Sequence, residues 1–292
     1  MKVAIVVPTY KAKLSPEEEI SLQHLLHFLG RYDKYLVIPK NFQISYPGFT
    51  IKRFDDRFFK SAETYSALLM QEDFYQAFRE YEYILIYQLD ALIFSDQLLE
   101  WCDKGFDYIG APWFHCEITP HVKVPKVGNG GFSLRKVESF LRVLQSPKFR
   151  QRYWTDYKYW KVFCTGKPEY VRYLNYPKRY LKKRLNTFSN SGNTIATPLT
   201  YPDSMIEDVF RLCIVEDVFY SYLAEKFYPE FKIASVEEGL RFAFEYMPRV
   251  CFELNNRTLP FGCHAWFTQD REFWKPYLLP SVKGEWIAEL ES

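Results

Sequence analysis

Four polar sites in this 292-residue chain interrupt apolar stretches and carry residue types that can do chemistry. Asp90 follows an apolar run and His264 lies in PFGCHAW, and oxygen and nitrogen ligands of these kinds suit Mn²⁺ or Mg²⁺. Glu216 and Asp217 open an amphipathic segment, where one carboxylate could be a general base that removes a proton from an attacking hydroxyl. The run GNGG at 128–131 would let the backbone approach a ligand closely.

Each of these sites also has a structural interpretation. Asp90 could be a buried carboxylate satisfied by backbone amides, or it could cap the next helix, although Ser95 and Asp96 are better placed for that just before residues 97–102. The glycine run could be only a tight turn, and a histidine among aromatic residues is more often part of a core. The acidic pair could simply stabilise a helix N-terminus, by ~0.3–1 kcal/mol.

Strands and helices alternate along the first hundred residues, and the strands are nearly unbroken apolar runs. This pattern predicts the α/β class, with a mostly parallel, doubly wound sheet covered by helices. Such sheets bind ligands beyond the carboxyl ends of their strands, where Asp90 falls. The predicted strands are 2–8, 34–40, 49–54, 83–89, 107–114 and 231–235, the predicted helices are 15–30, 61–81, 97–102 and 213–227, and residues 127–144 form a glycine-rich loop, a short strand and a helix.

Composition narrows the class of protein. The chain is 48% hydrophobic, which is ample for a large core, and its formal net charge of +2 is not that of a dedicated nucleic-acid binder. No apolar run approaches the ~20 residues of a membrane span, and the apolar N-terminus is too short for a signal peptide. Six cysteines without paired or zinc-ligand spacing predict a reduced, cytoplasmic protein.

Residues 148–184 differ from the rest of the chain. They contain twelve Lys or Arg against two acidic residues, with eleven aromatic residues interleaved. A basic, solvated helical hairpin packed by its aromatic residues would have this composition. Cations with Trp and Tyr also suit an anionic membrane surface, so peripheral attachment to the inner face of the membrane is the functional prediction for this segment.

Taken together, the motifs resemble those of GT-A-type glycosyltransferases, and more narrowly a bacterial glycosyltransferase-like domain family of unknown function. The resemblance covers about 1–146 and 205–268. It implies a single GT-A-like catalytic domain over 1–292, with a nucleotide-sugar-binding half at 1–106, an acceptor half at 107–268 that includes a basic aromatic insertion at 147–204, and a tail at 269–292. The motifs that carry it are VVPTY, QLDALIF, DYIGAPW, VGNGGFSLR, VEDVFYS and LPFGCHAW.

The resemblance also implies roles for individual residues. A divalent metal, Mn²⁺ or Mg²⁺, would be held by Asp90 and His264, although the DxD motif of the family reads Gln88-Leu89-Asp90 here and lacks its first acid. Asp217 would be the first candidate for the catalytic base and Glu216 the second. The residues implied to bind the donor are Pro8, Thr9 and Tyr10 against the nucleoside, Asp90, and Asn129, Gly130 and Gly131 near the transferred sugar.

The implied function is transfer of a sugar from a nucleotide-sugar to a hydroxyl of a glycan or a lipid-linked glycan, in bacterial surface glycan synthesis. Inversion at the anomeric carbon is the prediction, and retention is the alternative, because a sequence does not fix the face of attack. Glycosyl transfer passes through an oxocarbenium-like state, and an inverting enzyme needs one base on the acceptor side. A nucleotidyltransferase is one alternative, but it would need a basic, glycine-rich loop after the first strand, where PTYKAKLSP has no glycine. The other alternative is a non-catalytic module that binds an anionic surface.

Overall fold

The computed structural model describes residues 2–116, 122, 124–149 and 216–281. The strands are β1 (Val3–Pro8), β2 (Asp33–Pro39), β3 (Phe49–Phe54), β4 (Tyr83–Tyr87), β5 (Leu92–Ile93), β6 (Tyr108–Gly110), β7 (Pro112–Trp113), β8 (Lys126–Val127), β9 (Phe132–Lys136), β10 (Ala243–Phe244) and β11 (Gly262–Cys263). The α-helices are α1 (Pro16–Leu29), α2 (Ala62–Leu68), α3 (Glu72–Gln76), α4 (Leu98–Asp103), α5 (Val137–Gln145), α6 (Glu216–Phe227), α7 (Val236–Phe242), α8 (Pro248–Leu254), α9 (Trp266–Gln269) and α10 (Arg271–Trp274).

A six-stranded sheet, in the order β3-β2-β1-β4-β9-β6, lies at the centre. The first four strands are parallel to one another, and β9 runs antiparallel to both β4 and β6. The prediction of an α/β fold with a mostly parallel sheet is confirmed. Because Tyr87 at the end of β4 pairs with Phe132 at the start of β9, the loop 128–131 lies at the carboxyl edge of the parallel strands.

The apolar runs predicted as strands form the core. Residues 3–7 of β1 and 83–87 of β4 are all buried, and burying each large aliphatic side chain contributes roughly 1.5–3 kcal/mol. Helix α1 begins as its sequence indicates, since Ser15 and Glu18 form a capping box and Pro16 occupies the first turn.

Two predicted elements are divided in the structure. The helix predicted over 61–81 is instead α2 and α3, separated by a turn in which the Gln71 side chain donates to the Ala67 carbonyl and so satisfies one group at the end of α2. The strand predicted over 107–114 is instead β6 and β7. The first pairs with β9 and the second with β8, on either side of Ala111.

The strand predicted over 231–235 is wrong. Only Ile233 forms a bridge, with Tyr108. The Lys232 carbonyl and the Ala234 amide are bonded to the backbone of residues 107–108, but the Lys232 amide donates to the buried carboxylate of Asp107 at 2.7 Å, so a side chain binds this amide.

A small second sheet connects distant parts of the chain. In the order β10-β11-β5, β11 is parallel to β10 and antiparallel to β5. The His264 amide then donates to the Phe244 carbonyl at 2.9 Å, and the Trp266 amide donates to the Asp90 carbonyl at 3.1 Å. These contacts bring residues 90, 244 and 264 together at the carboxyl edge of the large sheet.

Some predictions fall outside the described residues. Most of the segment 148–184 and of the insertion 147–204 is among them, and the division of the chain into two halves and a tail stays a prediction. Across the described ranges, the structure has no helix that is both long enough and apolar enough to cross a membrane.

Candidate functional site

Asp90 lies three residues beyond β4, at the carboxyl edge of the sheet. Its side chain is 27% exposed, and its Oδ1 atom lies 3.1 Å from His264 Nε2. Burial raises the pKa of Asp90, but the charges of His264 and Lys11 outweigh burial and hold that pKa below its usual range. Asp90 is therefore an ionised carboxylate at the place where sheets of this class bind ligands.

The capping interpretation of this region does not hold. Helix α4 has Gln97 at its N-cap position, without a side-chain hydrogen bond to the helix. Ser95 donates to the Gln97 side chain, and Asp96 pairs with Arg31 at 2.9 Å. Neither Asp90 nor the two residues predicted as better caps performs that role.

His264 follows β11 and is held from both sides of its ring. Nδ1 lies 2.9 Å from Glu245 Oε1, and Nε2 lies 3.1 Å from both Gln88 Oε1 and Asp90 Oδ1. Burial lowers the pKa of His264, but the carboxylates of Asp90 and Glu245 outweigh burial and raise it well above its usual range. The ring is therefore an imidazolium between two carboxylates, and not an isolated core histidine.

The fit of a divalent metal to these residues is partial. Two atoms at adjacent corners of an octahedron with bonds of about 2.1 Å are roughly 3 Å apart, which matches the 3.1 Å between Asp90 Oδ1 and His264 Nε2. Ligation would require Nε2 to lose its proton. In the described part of the chain no group of three or more His, Cys, Asp or Glu is arranged as a metal site. The two residues thus fit a metal whose other ligands come from substrate and water, as Mg²⁺ sites often do.

The loop 128–131 is a tight turn that also contacts the charged residues. Asn129 has a φ of 74°, and its Oδ1 accepts from the amides of Gly131 and Phe132 at 2.8 and 3.0 Å. A Cβ atom on Gly130 would lie 2.2 Å from Glu216 Oε1, and one on Gly131 would lie 2.0 Å from His264 Nε2. The absence of side chains at 130 and 131 is what allows both charged groups to approach.

Glu216 and Asp217, adjacent in sequence, occupy different environments. Glu216 is buried and forms an ion pair with Arg135, with Oε1 2.9 Å from Nη2. Ser66 Oγ donates to Glu216 Oε2 and accepts from the Glu216 amide, each at 2.6 Å. Both carboxylate oxygens of Glu216 are therefore occupied by protein donors.

Asp217 is partly exposed and faces the loop. Its Oδ2 accepts from the Gly130 amide at 3.1 Å, and its Oδ1 accepts from the Val218 amide at 2.7 Å. Burial and the negative charges of Glu216 and Glu245 raise the pKa of Asp217 to about 8, against the opposing effects of Val218 and Arg135. A carboxylate with a pKa in this range is a stronger base than an ordinary aspartate.

Arg135 is one of the site residues that the sequence interpretation missed. Its guanidinium is fully buried and donates to Glu216, to the Gly130 carbonyl at 3.2 Å, to Tyr75 Oη at 3.0 Å and to Ser133 Oγ at 3.0 Å. An arginine inside the buried strand FSLRK was an available signal, because a buried charge needs a partner.

Glu245 was also missed. Its carboxylate contacts His264 and accepts from Trp113 Nε1 at 3.3 Å. It directly follows the buried strand β10, which is the same pattern of a charge after an apolar strand that drew attention to Asp90.

The end of β1 lies at the same edge. Thr9 is buried and its amide donates to the Val37 carbonyl at 3.0 Å, whereas the ring of Tyr10 is 59% exposed. Pro8 is the last residue of the strand. Lys11 pairs with Glu18, and its charge helps to lower the pKa of Asp90. Of the three residues predicted to bind a nucleoside, Tyr10 presents a free aromatic surface.

Comparisons with known proteins give a family and several distant structural likenesses. Residues 48–264 match the family described as "Protein of unknown function (DUF5672)". No curated protein matches the chain.

The structural likenesses are low in identity and in TM-score. The apo form of the glycosyltransferase GlyE of Streptococcus pneumoniae TIGR4 is 11% identical, with a TM-score of 0.42 over 99% of this chain and 64% of that one. Core-mannan synthase A of Aspergillus fumigatus, in an Mn/GDP form, is 10% identical, with a TM-score of 0.37 over 52% of this chain and 63% of that one. The chain thus spans less than two thirds of either protein, and these likenesses carry no argument about activity.

Replacing Arg135 with Met should lower the free energy of unfolding by about 3–5 kcal/mol, because it leaves the Glu216 carboxylate buried without its partner. Urea denaturation measures this loss. The control is Arg142→Met, which removes an arginine from the exposed face of α5 and should leave the stability close to that of the wild type. Equal stability of the two variants would contradict the central place given to Arg135.

Proposed function

Since the chain belongs to the DUF5672 family, whose description assigns no activity, we propose from its site that it is a glycosyltransferase. It would move a sugar from a nucleotide-sugar donor to a hydroxyl acceptor, with inversion at the anomeric carbon. The proposal is supported by the site geometry and by the motif resemblance to GT-A-type enzymes.

One observation carries the proposal: the Asp217 carboxylate and the Asp90–His264 pair contact two adjacent residues of one loop, Gly130 and Gly131. The Gly130 amide donates to the raised-pKa carboxylate of Asp217, and Gly131 lies against the His264 ring that pairs with Asp90. Neighbouring Cα atoms are about 3.8 Å apart, so a base and a charged ligand-binding pair lie on one short turn at the carboxyl edge of the sheet. An enzyme that transfers a group between an anionic donor and a hydroxyl needs these two parts.

The proposed step uses Asp217 as the base. The acceptor oxygen forms a bond to the anomeric carbon, and the bond from that carbon to the diphosphate oxygen breaks. The acceptor proton passes to Asp217, and the nucleoside diphosphate leaves with the electron pair. Glu216 is buried and its two oxygens already accept from Arg135 and Ser66, so Asp217, which is partly exposed, is proposed as the base.

Asp90 and His264 are proposed to hold a divalent metal. Such an ion, when bound, supplies positive charge that stabilises the leaving diphosphate. The exposed ring of Tyr10 would stack on the base of the nucleotide. Asn129 Nδ2 is a buried donor with no hydrogen-bond partner among the described residues, and it is proposed to donate a hydrogen bond to a sugar hydroxyl.

A thermal-shift screen against nucleoside diphosphates, with and without Mn²⁺, tests the donor site. A ligand at one hundred times its Kd stabilises the native state by about 2.7 kcal/mol, so one nucleotide should raise Tm selectively, and more so with Mn²⁺. In Asp90→Asn the Mn²⁺-dependent part of this rise in Tm should disappear, while the Tm measured without ligand should stay at the wild-type value. Asp96→Asn, a carboxylate in an ion pair with Arg31, is the control. An unchanged Mn²⁺ response in Asp90→Asn would remove Asp90 from the metal site.

Asp217→Asn should lower kcat by roughly 10²–10⁴-fold at unchanged donor affinity, the range expected for loss of a general base. In the wild type, kcat should rise with pH through the raised pKa of Asp217, because only the ionised form accepts a proton. Initial rates of sugar transfer or donor hydrolysis measure both effects. The exposed Asp103→Asn is the matched control. Near wild-type turnover in Asp217→Asn would contradict the assignment, and pyrophosphate release from a nucleoside triphosphate would indicate a nucleotidyltransferase instead.

The acceptor and the site of action are proposed from composition alone. The basic aromatic segment 148–184 supports a glycan or lipid-linked glycan acceptor at an anionic membrane surface, since each Lys or Arg near such a surface contributes about 1 kcal/mol. The protein should sediment with anionic vesicles, and less so as salt rises. Replacing Lys178, Arg179, Lys182, Lys183 and Arg184 with Gln should release it while donor hydrolysis persists. If the protein does not sediment with the vesicles even at low salt, the acceptor is a soluble molecule or the segment is structural.

A further inference from the structure

Glu216 lies at the centre of a buried hydrogen-bonded group that the transfer chemistry does not use directly. Its carboxylate is bound by Arg135 on one oxygen and by Ser66 on the other, and its amide returns a hydrogen bond to Ser66. Arg135 comes from β9 and Ser66 from α2. The first residue of α6 is therefore held in place by two other elements of the fold.

This group reaches Asp217 through Gly130. Arg135 Nη2 donates both to Glu216 Oε1 and to the Gly130 carbonyl, and the Gly130 amide donates to Asp217 Oδ2. Gly130 is thus bound at its carbonyl by the arginine and at its amide by the base. Glu216 also packs directly on Gly130, because a Cβ atom there would lie 2.2 Å from Glu216 Oε1.

Glu216 is also the nearest fixed negative charge to the base in sequence. The other charged groups that act on Asp217 within the described residues are Glu245, which reinforces Glu216, and Arg135, which opposes it. The hydroxyls of Tyr108 and Tyr246 also feel the charge of Asp217, and burial raises the pKa of both, so they stay neutral.

We propose that Glu216, held by Arg135 and Ser66, is a positioning residue that fixes the Asp217 carboxylate through Gly130 and strengthens it as a base by its buried charge. The inference rests on the proposed function, since it takes Asp217 as the base. Glu216 itself touches neither donor nor acceptor.

The test compares pH–rate profiles of two variants. Glu216→Gln removes the charge and keeps the shape, so the acid limb of kcat should move down by about one pH unit and the plateau should fall, while the donor KM stays unchanged. Ser66→Ala keeps the charge but loosens the carboxylate, so kcat should fall several-fold with the acid limb in place.

Ser139→Ala is the matched control for Ser66→Ala. Ser139 also donates from a buried hydroxyl to a buried carboxylate, Asp107 Oδ1 at 2.6 Å, away from the proposed site. It should lower Tm like Ser66→Ala but leave kcat at its wild-type value below the transition. This comparison decides the question even if Glu216→Gln does not fold.

The outcomes separate the inference from the function beneath it. A wild type that loses turnover on Asp217→Asn, together with an unmoved acid limb in Glu216→Gln and an unchanged kcat in Ser66→Ala, overturns the inference alone. A wild type without nucleotide-sugar turnover overturns both. A shifted limb in Glu216→Gln with a selective kcat loss in Ser66→Ala supports the positioning role.

Discussion

A buried charge must have a partner, and in this protein that requirement organises the candidate site. The Arg135 guanidinium on β9, without exposure to water, donates hydrogen bonds to Glu216 in α6, to the loop 128–131 and to Tyr75 in α3. Removing one ion from a low-dielectric interior without the other is costly, so these elements must be in register before the arginine is satisfied. The ion pair therefore links the packing of the core to the geometry of the candidate site.

The two glycines of the loop transmit this constraint. Gly130 lies against the buried ion pair of Glu216 and Arg135, and Gly131 lies against the charged ring of His264. The backbone of the loop therefore fills the gap between the ion pair and the ring. The imidazolium of His264 and the carboxyl group of Asp217 then lie on opposite sides of the loop, which separates them. Glu245 bridges the two electrostatically, since it contacts His264 and also raises the pKa of Asp217.

Much of the fold could be predicted from local patterns, and the partners in the site could not. The apolar runs of β1 and β4 and the capping residues of α1 act over a few neighbouring positions, which sequence shows directly. The predicted strand at 231–235 is reduced to a bridge at Ile233, and the neighbouring Lys232 amide donates to the Asp107 carboxylate, more than a hundred residues away in sequence. Asp90 and His264 were paired as metal-ligand types and through the resemblance, but Arg135, Glu245 and Ser66 were missed, since their roles depend on which distant residue lies opposite.

The small sheet that joins β5 to β10 and β11 has a consequence for how the protein is made. Asp90 is synthesised 174 residues before His264, so the N-terminal strands can pair on the ribosome while the edge they present still lacks Glu216, Glu245 and His264. Contacts of such sequence separation form late, because long loops must close first. The nascent chain can thus form its central sheet before the candidate site is complete, and truncated products would be partly folded but inactive.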